Sequence, residues 1–170
     1  MPAVGRYAAL VTPERIWLMS IRLHRSGWRR AARVLKAINA VVYSTALPPE
    51  ADVADDVVLW HHGLGIVIHP DTTIGRRVVI AHGVTIAAGA PHADSGLGVV
   101  IEDGVTIGAG ACVIPREGYG LTLGRGCVVG ANAVVTKDVA ADAVAVGPGA
   151  DIRERTRRMP GEPELGERNS

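Results

Sequence analysis

Six histidines are the side chains best suited to chemistry at neutral pH, and four of them, His61, His62, His69 and His82, fall within a short stretch. Imidazole titrates near neutrality, so it can take a proton from a hydroxyl that is otherwise a poor nucleophile. The tandem pair His61-His62 is followed by Gly63-Leu64-Gly65, a pattern that marks a tight corner rather than a helix or strand. His82 follows Ile80 by two residues and is read either as lining a cleft or as a solvated corner residue. His69, before Pro70, is read as a corner residue, and His24 carries no assigned chemistry. A pair of corner histidines that merely bond to backbone is the plain alternative for His61 and His62. Cys112 and Cys127 lack metal-ligand spacing and are read as buried, reduced thiols acting as small hydrophobes.

The elements that must position these residues follow from periodicity. Aliphatic residues fall at Val53 and Leu59, at Ile68, Ile74, Ile80 and Ile86, at Ile101, Ile107 and Val113, and at Leu123, Val129 and Val135. Within each group the spacing is six. A small residue often follows, and another apolar or small residue sits two positions before. This period is neither helical nor a simple alternation; it is that of a parallel β-helix whose turns are triangular. The aliphatic points into the prism and the small residue permits the corner. Three breaks carry information. The first, at His61–Gly65, swells a corner; the second, between Ile86 and Ile101, places Ala90–Gly96 in a loop; the third, between Val113 and Leu123, inserts Pro115–Gly120. Loops projecting from a rigid solenoid are where substrate contacts concentrate.

Before the hexads, Thr12-Pro13-Glu14 reads as a helix start, with Thr12 as N-cap and Pro13 in the first turn. Helical spacing of Ile16, Trp17, Met19, Ile21 and Leu23 predicts a helix up to Ser26-Gly27. A second is expected from Trp28 to about Tyr43, with Ala32, Leu35, Ile38 and Val42 on one face. Leu47-Pro48-Pro49 ends it. The expected organisation is a helical segment over 1–46, a β-helix over 47–152 and a tail over 153–170 read as a short helix or arm.

Composition narrows the function classes. The 170 residues are 48% hydrophobic and 21% charged with a formal net charge of +1, and there is no Phe. This is a globular profile and not a disordered one. Residues 1–46 carry eight bases against Glu14 alone, whereas the hexad region is acidic. Without aromatic interleaving or a sustained run, the basic face is expected to pack on the body or meet solvent, and no nucleic-acid or membrane partner is expected. No stretch is long and apolar enough to span a membrane, and no signal-peptide pattern opens the chain, so a cytoplasmic location is expected.

The hexads, together with Leu47-Pro48-Pro49, Leu59–Pro70 (LWHHGLGIVIHP), Ile80–Gly89 (IAHGVTIAAG) and Val129–Asp138 (VGANAVVTKD), resemble the serine acetyltransferase family in its short form. That resemblance covers about residues 15 to 152. It implies a mainly β fold, a left-handed parallel β-helix preceded by a short α-helical segment. It further implies a homotrimer that transfers an acetyl group from acetyl-CoA to a hydroxyl, L-serine first, in cysteine biosynthesis. In that family the histidine before the Gly-Ile-Val-Ile strand is the general base. Counting from Leu59 gives His61, and counting back from Gly65 gives His62, the corner having one extra residue. His82, His92 and Trp60 correspond to the substrate side, with His92 a stand-in for a second family histidine that lies before the next hexad block, near Gly98. Ala87, Gly89, Ala109 and Ala131 correspond to the pantetheine groove, and Lys137 and Arg125 to the phosphates.

The departures are specific. Ala46 stands where the family has an orienting aspartate, and Trp60 where it has an acid; Asp52, Asp55, Asp56 or Asp94 would have to supply a carboxylate instead. Asp151 replaces a closing arginine. These changes leave open an amino sugar, polysaccharide or specialised-metabolite acceptor, or an inactive β-helix. A γ-type carbonic anhydrase needs three histidines around zinc, and His61, His69, His82 and His92 do not supply its clustered pair, so no metal is expected. Family members dock into cysteine synthase through a C-terminal isoleucine; this chain ends Arg168-Asn169-Ser170, and no such complex is expected.

Overall fold

The computed structural model describes residues 12–88 and 97–147. Two helices, α1 (Pro13–Arg25) and α2 (Arg29–Tyr43), precede a run of short strands. The first coil contains β1 (Asp52–Val53), β2 (Val58–Leu59) and β3 (Val67–Ile68), the second β4 (Thr72–Ile74), β5 (Val79–Ile80) and β6 (Thr85–Ile86). The third contains β7 (Val99–Ile101), β8 (Thr106–Ile107) and β9 (Cys112–Val113), the fourth β10 (Leu121–Leu123), β11 (Val128–Val129) and β12 (Val134–Val135). A partial fifth coil adds β13 (Val144–Ala145) and a bridge from Val139 to Leu123. It escapes the hexad count because Val139 follows Val135 too closely.

All ladders are parallel and link strands of successive coils. They form three faces ordered β1-β4-β7-β10, β2-β5-β8-β11-β13 and β3-β6-β9-β12. This is the parallel β-helix that the hexad period predicts, in the left-handed form that the family resemblance implies. All twelve hexad aliphatics are buried, as are the residues two positions before them. Each Val, Leu or Ile among them contributes on the order of 1.5–3 kcal/mol by leaving water. At several corners the glycine answers to packing between coils, not to backbone freedom. A Cβ on Gly108 would lie 2.6 Å from the Ala131 amide nitrogen, and one on Gly124 would lie 2.5 Å from that of Ala141.

Helix α1 closes the open first coil. Trp17 and Ile21 join the core with Leu47 and Ala51, and the Trp17 indole N–H donates to the Pro48 carbonyl at 2.8 Å. The exposed edge of β2 is also met from α1: Glu14 Oε1 accepts the Leu59 N–H at 3.0 Å. Pro13 opens α1 as expected, but the Thr12 side chain makes no capping bond. Arg22 pairs with Asp55 at 3.2 Å and Arg25 with Asp52 at 2.6 Å, so part of the basic face does pack on the acidic body. On α2 only Ala32 and Asn39 are buried; Ile38 and Val42 face outward, because α2 touches the rest of the chain along a narrower strip than its apolar face. Cys127 points inward and is buried. Cys112 is half-buried, since it immediately precedes an inward aliphatic and therefore faces out. No helix among the described residues is long and apolar enough to cross a membrane.

Candidate active site

The corner after the second face carries His61, His62 and His82. In most coils this corner holds one residue in the left-handed region three positions after the inward aliphatic: Gly83 after Ile80, Gly110 after Ile107, Asn132 after Val129. Its N–H donates to the carbonyl one coil earlier, Gly110 to His82 at 3.0 Å and Asn132 to Ala109 at 2.8 Å. His82, Ala109 and Ala131 therefore stack in a column along one edge of the prism.

The first coil departs from this rule. Gly83 N–H donates to Leu64, at 2.8 Å, so the ladder re-enters register through Leu64-Gly65, and Trp60–Gly63, which include the surplus residues, form a turn of their own. Within that turn His61 and His62 both adopt left-handed backbone, at φ 55° and 57°. Histidine tolerates this region better than β-branched residues do. The turn swings the two imidazoles apart. The His61 ring meets His82 edge to face, with centroids 4.9 Å apart and planes at 87°. His62 instead lies nearly parallel to Tyr43, at 6.2 Å and 27°. Both histidines are exposed, and so is Trp60 beside them.

Other residues singled out in the sequence scatter over the remaining corners. Ala87 and Lys137 share the corner after the third face, where Ala87 N–H donates to Val113 and Ile114 N–H to Val135, at 3.0 and 2.9 Å. Arg125 lies on the third corner, between β10 and β11, with its N–H donating to Glu102 at 2.7 Å. Gly89, His92 and Asp94 lie outside the described residues. His69 is a corner residue whose Nδ1 accepts the Asp71 N–H at 3.1 Å.

Three candidate orienting carboxylates are engaged elsewhere. Asp52 and Asp55 pair with arginines of α1, and Asp56 accepts from the Arg77 N–H at 3.1 Å and approaches Arg76 at 3.5 Å. Ala46 bridges to Val67 as an added strand segment above the third face. Tyr43 is the contact the sequence reading missed, because it reaches His62 from the end of α2 and no periodicity links the two. Among the described residues no group of three metal-ligating side chains occurs. Burial, reinforced by the Glu102 charge, pushes the Cys127 thiol up from its ordinary value, which suits an inert core residue.

Comparison with known proteins agrees with this architecture. A family model described as "hexapeptide repeat of succinyl-transferase" matches residues 93–115 and 98–137. A serine acetyltransferase of Helicobacter pylori is 31% identical over 140 residues, covering 79% of this chain and 75% of that protein. Serine acetyltransferase 2 of Arabidopsis thaliana is 29% identical over 131 residues, covering 77% of this chain but 39% of the relative. The chain thus spans well under half the length of some curated relatives. Among solved structures, a Neisseria gonorrhoeae serine acetyltransferase in complex with serine superposes with a TM-score of 0.71 at 26% identity, covering 82% of this chain and 55% of that one.

Proposed function

The chain belongs to the serine acetyltransferase family, and from that premise we propose that it transfers an acetyl group from acetyl-CoA to a hydroxyl acceptor, L-serine first. The observation that carries the proposal is the edge contact of the His61 ring with His82, the residue above Ala109 and Ala131 in the column along one edge of the prism. In this reading an imidazole nitrogen of His61 accepts the acceptor's hydroxyl proton as the oxygen attacks the thioester carbonyl carbon. The tetrahedral adduct collapses with cleavage of the C–S bond, and the imidazolium returns the proton to the departing thiolate, releasing O-acetylated acceptor and free CoA. Such a base contributes about 10²–10⁴-fold.

His61 is favoured over His62 because its ring lies against His82, at the head of the small-residue column, whereas His62 is turned to Tyr43. With Asp52, Asp55 and Asp56 engaged by arginines or backbone, the His82 edge contact takes over the task of holding the His61 ring. Ala109 and Ala131 leave backbone open to a pantetheine arm below it, as small residues must. The gonococcal relative's complex with serine supports serine as acceptor. The exposed Trp60 indole beside His61 favours one second reading, a larger acceptor such as a sugar whose apolar face stacks on an aromatic ring.

We further propose a homotrimer. The two faces flanking the histidine edge present Val58, Val128 and Val144, and Val67 and Val134, to solvent. Outward apolar ladders of this kind are what subunit contacts cover. The test is release of free thiol from acetyl-CoA across an acceptor panel headed by L-serine. Serine-dependent release that falls by about 10²–10⁴-fold in His61→Ala, and less in His62→Ala, supports the assignment. Full turnover in both variants, or no release by the wild type with any hydroxyl acceptor, overturns it.

A further inference from the structure

Helix α2 turns toward solvent a face that the packing of the fold does not explain. Val34, Ile38, Val41 and Val42 fall on one stripe at helical spacing, and all four are exposed, Val41 by 84%. Arg29, Arg33 and Lys36 repeat that spacing along the opposite flank, with Arg30 and Ala37 between the two rows. Trp28, immediately before the helix, is 68% exposed. The helix carries these four cations and no acid. Packing on the body accounts for Arg22 and Arg25 of α1, but none of the α2 cations is ion-paired among the described residues.

The first turn of α2 is also electrostatically inverted. Helix N-termini favour acids, because their free N–H groups carry partial positive charge. Here Arg29 and Arg30 occupy that turn, and Trp28 supplies no side-chain cap. The turn borders an open hollow of about 470 Å³ lined by Ser26, Gly27, Trp28, Arg29, Arg30 and Ala31. Positive charge gathered on a positive helix end costs stability until an anion meets it.

A nucleic acid would meet the cations but leave the valine stripe in water. The α2 helix of a second copy would cover the stripe, yet it would bring four more cations and no acid to pair with them. An anionic lipid surface satisfies both rows at once. It takes the apolar stripe and the indole at the headgroup boundary, and it offers phosphates to the arginines and the lysine. We infer that α2 docks the protein on a membrane surface rich in acidic phospholipid, lying in the plane of the interface and spanning nothing. A helix of 15 residues whose other side packs on α1 suits that placement. Sequence spacing alone argued against a membrane partner, because only the structure shows that Val34, Ile38, Val41 and Val42 face solvent and not the body. The docking is independent of acetyl transfer. Tyr43, the last residue of α2, nevertheless lies against His62, so the docked helix brings the histidine corner near the surface.

Flotation of the full chain with vesicles of equal parts phosphatidylglycerol and phosphatidylcholine is expected to carry the protein into the lipid fraction, less so as salt rises. Vesicles of phosphatidylcholine alone should bind about tenfold more weakly. Arg29→Gln combined with Arg33→Gln should lower affinity for the mixed vesicles roughly ten- to thirtyfold, at about fivefold per cation. Val41→Ser should lower it about three- to tenfold. Its Tm should match the wild type, because the Val41 side chain touches little of the fold. Absence of flotation with the mixed vesicles overturns the inference. So does lipid binding that the arginine pair or Val41→Ser leaves unchanged. Self-association that Val41→Ser abolishes, in a protein that binds no lipid, assigns the stripe to a second copy. Duplex DNA bound equally by wild type and Val41→Ser, again without lipid binding, assigns the cations to nucleic acid. Either of these results overturns lipid docking and leaves acetyl transfer standing.

Discussion

Replacing Gly108 with alanine should destabilise the fold through one misplaced methyl group. The Cβ would sit 2.6 Å from the Ala131 nitrogen and 2.9 Å from the Gly130 carbonyl carbon, both backbone atoms of the next coil. An ordinary contact is about 3.5 Å, so the coils must part by close to 1 Å. They are clamped at that point by the Gly108-to-Val129 and Asn132-to-Ala109 hydrogen bonds, at 2.7 and 2.8 Å. Overpacking of this kind costs about 1–3 kcal/mol, and stretching the two bonds adds on the order of 1 kcal/mol. The stiffer unfolded chain returns only about 0.4–1 kcal/mol. A net loss of about 2 kcal/mol corresponds to a fall in Tm of roughly 4–8 °C for a chain of this size. The matched control is Gly130→Ala at the equivalent corner one coil later, where the nearest atom, the Ala145 oxygen, is 3.4 Å away. That variant should melt within about 2 °C of the wild type. Differential scanning calorimetry of the three proteins decides the matter. A Gly108→Ala midpoint close to wild type, or an equal fall for Gly130→Ala, would show that coil-to-coil contact is not what requires glycine here.

Two further outcomes follow from the core. Trp17→Phe removes the indole donor from the buried Pro48 carbonyl and should lower stability by about 1–3 kcal/mol, measured by denaturant titration; an unchanged midpoint would mean that α1 does not close the prism through this bond. The Cys127 thiol, raised by burial, stays protonated in the folded protein, so a thiol reagent at mildly alkaline pH should spare it until guanidinium unfolds the chain. Mass-mapped labelling of Cys127 in the native state would contradict its inward placement.

How much of this could be read in advance depends on how local each determinant is. The hexads specify the prism because every inward residue from Val53 to Val135 is set by a short repeat, and ladder register then follows from stacking. The histidine corner resisted counting for a physical reason. From Leu59 the count reaches His61 and from Gly65 it reaches His62, and only the Gly83-to-Leu64 bond shows where the surplus residues loop out. The choice among aspartates was likewise invisible. Asp52 and Asp55 are claimed by Arg25 and Arg22 only because α1 docks across the first coil, a placement that no local spacing encodes. Both ion pairs are solvent-exposed and contribute little to stability, but they remove two acids from consideration as partners of an imidazole.

The backbone at His61 and His62 supplies an argument that packing does not. Elsewhere the corners with left-handed backbone have a single such residue, supplied without steric cost by Gly83, Gly104, Gly110 and Gly126 and at other corners by Arg77, Asn132 and Asp142. The first coil instead places two consecutive histidines there before Gly63, itself at φ 65°. A non-glycine residue in this region costs on the order of 1 kcal/mol, so glycine at either position would favour folding. Nor do the imidazoles repay that cost by burial, since both are exposed. What the strain does accomplish is geometric: it sends one ring to His82 and the other to Tyr43, at the head of the one edge that continues into Ala109 and Ala131. Strain retained at this exposed, small-residue-lined edge supports the acetyl-transfer role proposed for His61.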